Sequence, residues 1–261
     1  MVHNVNANSR STIRVGKIDF TVGNLDLATD EILLLCKDRI STAVRLANAY
    51  CVAYASQDVQ YESLLREGGI TYPDGKPVVW FMKLFRPKGN EPRQVRGPSL
   101  FLNVMDKGRE QGIKHFFLGT DVDTLDRLQS RMLERFPGLK VAGMFAPPFS
   151  PITPESIAEM SQQIDQASPD IVWVALGTPK QDFVASALSS YFAGPLVAVG
   201  AAFDFAAGTR REAPLIVQRL ALEWFFRFVS EPRRLWKRYT IDLLRFLITA
   251  VRDSDSTTRP E

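Results

Sequence analysis

Histidine is nearly absent from this chain. The only two, His3 and His115, exclude a histidine-rich metal site and make a histidine-based catalytic triad a poor expectation. Cysteine is as scarce: Cys36 and Cys51 form no disulfide framework, and reduced thiols are the expected state. No run approaches the roughly 20 apolar residues needed to cross a bilayer. The best stretch, 241–251, is too short and is broken by Asp242 and Arg245. The opening "MVHNVNANSRST" is polar and lacks the apolar centre of a secretory signal. Two nucleotide fingerprints are also missing. "GTPKQD" lacks the Gly-Lys-Ser/Thr end of a Walker A loop, and no GxGxxG occurs. Acid–base chemistry must therefore fall mainly to carboxylates.

What is present is ordinary in bulk and patterned in detail. Hydrophobic residues make up 45% and charged residues 23% of the 261, enough for one large α/β domain plus an appendage. Apolar segments alternate with amphipathic ones. "GIKHFFLGT" (112–120) reads as a buried strand, and "LKVAGMF" (139–145), "DIVWVALG" (170–177) and "PLVAVG" (195–200) as the strands that follow. His115 opens the apolar run of the first and reads as structural. Between them lie helical stretches, one placing Leu125, Leu128, Met132 and Leu133 on a shared face, another capped at or just after Thr153. The expected fold is α/β: a Rossmann-like, mostly parallel sheet with helices on both faces, whose ligands bind at the carboxyl ends of the strands.

The last fifth departs from this pattern. Across 215–253, Arg219, Arg227, Arg233, Arg234, Lys237, Arg238, Arg245 and Arg252 outnumber Glu223, Glu231, Asp242 and Asp253. The segment carries +4 and leaves −1 for the rest of a chain whose net charge is +3. Interleaved aromatics make it a basic amphipathic helical appendage suited to a membrane surface or a polyphosphate. The expected organisation is a disordered tail over 1–12, a catalytic α/β domain over 13–214, the appendage over 215–253, and a second disordered tail over 254–261.

Four loops near strand ends carry unusual polar content. In "YPDGKPVVW" (72–80), Asp74 sits between Pro and Gly, either as an exposed carboxylate or as an Asx-turn. In "LGTPKQD" (176–182), Gly177 and Pro179 make a turn, with Lys180 and Gln181 opening a helix; this is an anion site or an ordinary strand-to-helix loop. In "VGAAFDFAAGTRREAP" (199–214), Asp204 lies between two phenylalanines, where an acid is paired or functional. In "PRQVRGPSL" (92–100), Arg96 precedes Gly97. Asp121 and Asp123 form a D-x-D, but at a helix start they read as a cap, so no metal site is expected.

The ordered set "LANAY" (46–50), "YPDGKPVVW" (72–80), "VRGPSL" (95–100), "FFLG" (116–119), "GTPKQD" (177–182), "VGAAFDFAAG" (199–208) and "LEWFFRFVSEPRRLWKR" (222–238) resembles the WecG/TagA/CpsF glycosyltransferases. The resemblance runs over roughly 40–246. It implies an inverting hexosyltransferase that moves a sugar from a UDP-sugar to a sugar on a polyprenyl diphosphate, without a cofactor. It implies work on bacterial surface polysaccharides such as capsule or exopolysaccharide, in the cytoplasm and peripheral on the inner face of the cell membrane. Partners would be the UDP-sugar, the lipid-linked acceptor, the membrane surface and another copy of the chain, with no nucleic acid.

Residue by residue, the resemblance makes Asp74 the general base. It places Asn48, Gly177, Lys180, Gln181 and Asp204 toward the donor. It gives Arg227, Arg234 and Lys237 to a diphosphate, either that of the departing UDP or that of the acceptor. Leu46 stands where relatives carry Thr, which weakens N-acetylmannosamine against glucose as the donor sugar. Asp182 is one methylene shorter than the family's Glu, and Glu212 replaces a cation. Two rival classes remain: a nucleotide-binding enzyme of another kind, and a non-catalytic membrane-binding module.

Overall fold

A computed structural model describes residues 10–84, 91–214, 217 and 223–254, with the backbone alone at 223, 224, 227, 230, 234, 238 and 239. Order begins before residue 13. Strand β1 (Thr12–Val15) pairs antiparallel with β2 (Ile18–Thr21), and Ser11 O accepts a bond from Val22 N. Residues 1–9 and 255–261 of the expected tails lie outside the described residues.

The main unit alternates as expected. In chain order follow α1 (Leu25–Lys37), β3 (Thr42–Ala47), α2 (Ala49–Ala55), α3 (Val59–Arg66), β4 (Ile70–Pro73), α4 (Lys76–Leu84), α5 (Gly97–Glu110) and β5 (Lys114–Gly119). Then come α6 (Val122–Arg135), β6 (Lys140–Phe145), α7 (Pro154–Ala167), β7 (Ile171–Ala175), α8 (Lys180–Leu188), β8 (Pro195–Ala198) and α9 (Ala202–Ala207). The six-stranded sheet is parallel, in the order β4-β3-β8-β7-β5-β6. The chain leaves β3 toward one edge and approaches β8 from the other side. A topological switch point therefore falls where these two strands lie side by side, the place at which open α/β sheets bind their ligands.

Burial explains the patterns. β7 and β8 are buried along their whole length, as strands covered on both faces must be. One core lies under α1, α5, α6 and α9, centred on Phe101, Phe117, Trp173 and Phe203. The opposite face is covered by α7 and α8. On α6, Leu125, Leu128 and Met132 are buried, whereas Leu133 is 43% exposed. Leu133 follows Met132 by 100° of helix rotation, which carries it off the stripe. Thr153 closes a capping box with Ser156 at the start of α7.

His115 lies wholly buried inside β5, where its Nδ1 accepts a bond from Trp173 Nε1 at 3.0 Å. Burial holds its imidazole neutral by pushing its pKa down to about 3. This is a structural histidine.

The carboxy-terminal segment divides into two kinds of helix. α10 (Glu223–Ser230) and α11 (Pro232–Tyr239) are separated by Glu231, and Pro232 restarts the helix at its first position. α12 (Ile241–Arg252) packs on α2 instead. Phe246 and Ala250 are fully buried in one cluster with β1, β2 and α2, and Phe246 meets Phe81 edge to face at 5.3 Å. Ser254 accepts a bond from Gly16 N at 2.8 Å. Residues 241–254 thus share the core of the α/β unit, although they fall in the stretch expected to form the appendage.

Candidate active site

The carboxyl edge at the β3–β8 switch gathers most of the expected residues. Asp74 follows the last residue of β4. Its backbone N–H donates to Ala47 O at 2.9 Å, which docks it beside the end of β3. Asn48 is the next residue along β3. It caps α2, its Oδ1 accepting from Tyr50 N at 3.0 Å, and this bond fixes the rotation of its amide. A Cβ on Gly75 would stand only 3.3 Å from Asn48 Cβ, so the Asp-Gly corner and the Asn cap are in contact. Leu46, one turn of the pleat earlier, is buried.

The Asp74 side chain is half-buried rather than sunk in the core. Its Oδ1 accepts the N–H of Gly97 at 3.2 Å, and Gln94 Nε2 reaches its carbonyl at 3.4 Å. Gly97 itself lies against the sheet, since a Cβ there would approach Val199 O to 2.9 Å. Sequence reasoning missed this role of "RGPSL". The signal was the glycine opening α5, and what it meant became visible only beside Val199.

Gln181 joins the β7 and β8 loops. It is buried, accepts from Gly200 N at 3.1 Å, and points its amide nitrogen at Thr178 Oγ1 at 3.5 Å. Gly177, at φ 77°, makes the turn before it in a conformation that L-residues avoid. Lys180 reaches away along the edge to Ser150 O at 2.7 Å, its ammonium 5.9 Å from the ring centroid of the exposed Phe149. Asp204 lies in the first turn of α9, with Arg210 Nε 3.6 Å from its carboxylate. Arg210 also stands 3.8 Å from Glu231, so it links this loop to the start of α11. Lys237 is exposed on α11. The side chains of Arg227 and Arg234 lie outside the described residues.

The D-x-D is a helix cap. Asp121 accepts from Thr124 N and Thr124 Oγ1, both at 2.8 Å, and these bonds hold its carboxyl below the usual range. Among the described residues no cluster of three His, Cys, Asp or Glu could hold a metal. Glu212, where a cation was expected, pairs with Arg96 at 2.7 Å.

Behind Gln181 lies a buried polar group that the sequence did not reveal. Asp182 accepts the Tyr61 hydroxyl at 2.7 Å, and Arg45, also buried, donates to Gly68 O. Desolvation raises the Asp182 pKa to about 6, against the opposing effects of Tyr61 and Arg45. A folded-state pKa above the unfolded value means that the native state holds its proton longer. This contribution to stability is complete below about pH 4 and is lost as pH rises through about 6. Urea unfolding from pH 4 to 7 should show a decline on the order of 3 kcal/mol from this group, flattened in Asp182→Asn. A variant with the wild-type slope would place the titration elsewhere.

Comparison with known proteins identifies the family. Residues 13–260 match the model of the Glycosyl transferase WecG/TagA/CpsF family. An N-acetylglucosaminyldiphosphoundecaprenol N-acetyl-beta-D-mannosaminyltransferase of Bacillus spizizenii is 29% identical over 209 residues, 79% of this chain and 77% of that protein. A protein of the same description from Bacillus subtilis is 26% identical over 216 residues, 82% and 81% of the two chains. With the family match spanning nearly the whole sequence, this chain belongs to the WecG/TagA/CpsF family and is a glycosyltransferase.

Proposed function

We propose that the chain transfers a hexose from a UDP-sugar to a sugar carried on a polyprenyl diphosphate, with inversion at the anomeric carbon. One observation carries the reading: a half-exposed carboxylate, Asp74, is held by the Gly97 N–H in a corner that packs on the Asn48 cap, at the switch point of a parallel sheet. The acceptor hydroxyl attacks the anomeric carbon as the bond to UDP breaks. Its proton passes to Asp74, and the bonding pair leaves on the β-phosphate oxygen. The donor lies over the β7 and β8 loops, where Gly177, Gln181 and Asp204 form the edge, with Lys180 farther along it. Arg227, Arg234 and Lys237 stabilise the leaving diphosphate. The link from Arg210 to Glu231 supports this, because it tethers the helix of Arg234 and Lys237 to the Asp204 loop. The two relatives' descriptions favour N-acetylmannosamine as the transferred sugar, while the buried Leu46 favours a donor that needs no hydroxyl there, such as glucose.

The test is a screen for UDP release with UDP-N-acetylmannosamine and UDP-glucose against a short-chain N-acetylglucosaminyl diphospholipid. Release should require both substrates and persist in EDTA. Release from no donor would overturn the reading. Loss in EDTA, restored by Mg²⁺ or Mn²⁺, would return the transfer step to a metal.

The lipid-linked acceptor calls for a membrane surface. Among the described residues no helix is long and apolar enough to cross one. α12 turns Ile241, Leu244, Ile248 and Val251 outward, opposite its buried face, and Val229 and Trp236 are exposed on the helices before it. These side chains rest in the interface while Arg252, exposed at the end of α12, meets lipid phosphates. Leu244→Glu with Ile248→Glu should cut binding to anionic vesicles by about tenfold or more, since two charges replace apolar surface that would enter the interface. A change in subunit number with vesicle binding intact would assign the face to a second copy of the chain.

A further inference from the structure

A cavity of about 500 Å³ opens between α4 and the segment that leads into α5, one residue contact from Asp74. Its wall is continuous with the base: Gln94, which lines it, contacts the Asp74 carbonyl, and Lys76 lies two residues beyond Asp74 at the start of α4. Among the described residues that line it are four cations, Lys76, Lys83, Arg93 and Arg96, against one carboxylate, Glu91. Glu91 is shared by Lys83 at 2.7 Å and Arg93 at 3.9 Å, which leaves the lining strongly positive. Arg96 is held in place, only 15% exposed, by Glu212 at 2.7 Å and Ser99 Oγ at 3.2 Å. A prepositioned guanidinium loses little freedom on meeting a phosphate. Val79 adds an apolar wall. The volume lies in the range of small-ligand sites.

Such a lining selects for a compact polyanion that also has an apolar surface. Among the described residues the lining offers cations and no aromatic ring on which a nucleotide base could stack. A phosphorylated hexose fits, with its phosphates on the cations and its free hydroxyls toward Asp74. We propose that this cavity is the acceptor subsite, in which Lys76, Arg93 and Arg96 hold the phosphates of the sugar carrier and direct its hydroxyl at the base. The proposal rests on the glycosyl-transfer reading. It gives the acceptor's phosphates to the main domain and leaves the carboxy-terminal cations to the departing UDP.

The test measures equilibrium binding to the full chain of a short-chain N-acetylglucosaminyl diphospholipid, of N-acetylglucosamine 1-phosphate, and of UDP. Lys76→Glu should weaken binding of the diphospholipid by about tenfold or more, because charge reversal acts well within a Debye length. Glu91→Gln should tighten it about threefold by releasing Lys83 and Arg93, a gain that general damage to the fold would not produce. Both variants should keep the wild-type affinity for UDP. A parallel effect on the 1-phosphate would show that the phosphorylated sugar suffices; an effect on the diphospholipid alone would show that the second phosphate is required.

Unchanged diphospholipid affinity in both variants, or no binding by the wild type, would overturn the site. A loss of UDP affinity in Lys76→Glu would reassign the cavity to the donor. If the wild type transfers sugar while both variants bind the diphospholipid normally, this site falls and the transfer reading stands. If the cavity binds the diphospholipid but no donor yields UDP, the transfer reading falls and the site stands.

Discussion

Replacing Asp74 by Asn should lower turnover by about 10² or more, equivalent to about 2.7 kcal/mol or more of transition-state stabilisation, while UDP binding stays at the wild-type level. The structure makes this substitution informative. The bond that places the side chain runs from Gly97 N–H to Asp74 Oδ1, and an amide oxygen can accept it equally well. The backbone contacts to Ala47 and Gln94 do not involve the side chain. Asn therefore keeps this bond and loses the ability to take a proton. Single-turnover rates with saturating acceptor, alongside calorimetry of UDP binding, would separate chemistry from affinity. Full turnover in the variant would remove Asp74 from the mechanism. A matched loss of UDP affinity would make it part of the donor site.

The second large effect concerns stability. Phe246→Ala should cost about 3–5 kcal/mol, the usual range for a fully buried aromatic, and lower the melting temperature by roughly 10 °C. Phe246 lies between α2 and the β1–β2 hairpin, with the Phe81 ring against it. Gly16 sits so close to α12 that a Cβ there would approach Thr249 Cγ2 to 2.9 Å. Removing α12 altogether takes away a larger part of this core than domains of ordinary stability can lose. A chain ending at residue 240 should consequently fail to unfold cooperatively. Cooperative unfolding of that chain at the wild-type temperature would show α12 to be an attachment instead of a core element. Loss of vesicle binding on deleting the whole carboxy-terminal segment would thus report unfolding as well as lost lipid contact.

Much of the frame was legible in residue order. Four strands, from "KHFFLG" to "PLVA", are short apolar runs between polar breaks; β5, β7 and β8 owe that pattern to cover on both faces, while β6, at the sheet edge, is only half-buried. The caps at Asp121 and Thr153 were equally local, since a cap is chosen by residues three positions away. The β1–β2 hairpin and β3 were harder to see. "TAVRLA" carries an arginine in mid-strand, and nothing nearby in sequence says that Gly68 will receive it.

Sequence alone determined the alternation of elements, the scarcity of histidine, the Pro-Asp-Gly corner and the charge of the last fifth, because each depends on composition or on spacing within a few residues. Tertiary structure decided which loops meet. Asn48, Asp74, Gly97 and Gln181 are scattered over more than half the chain, and only the return of β8 to the side of β3 brings them to one edge. It decided also that α12 is core while the helices before it are partly exposed, since an amphipathic helix has an apolar face in either setting and only its neighbours determine what covers it.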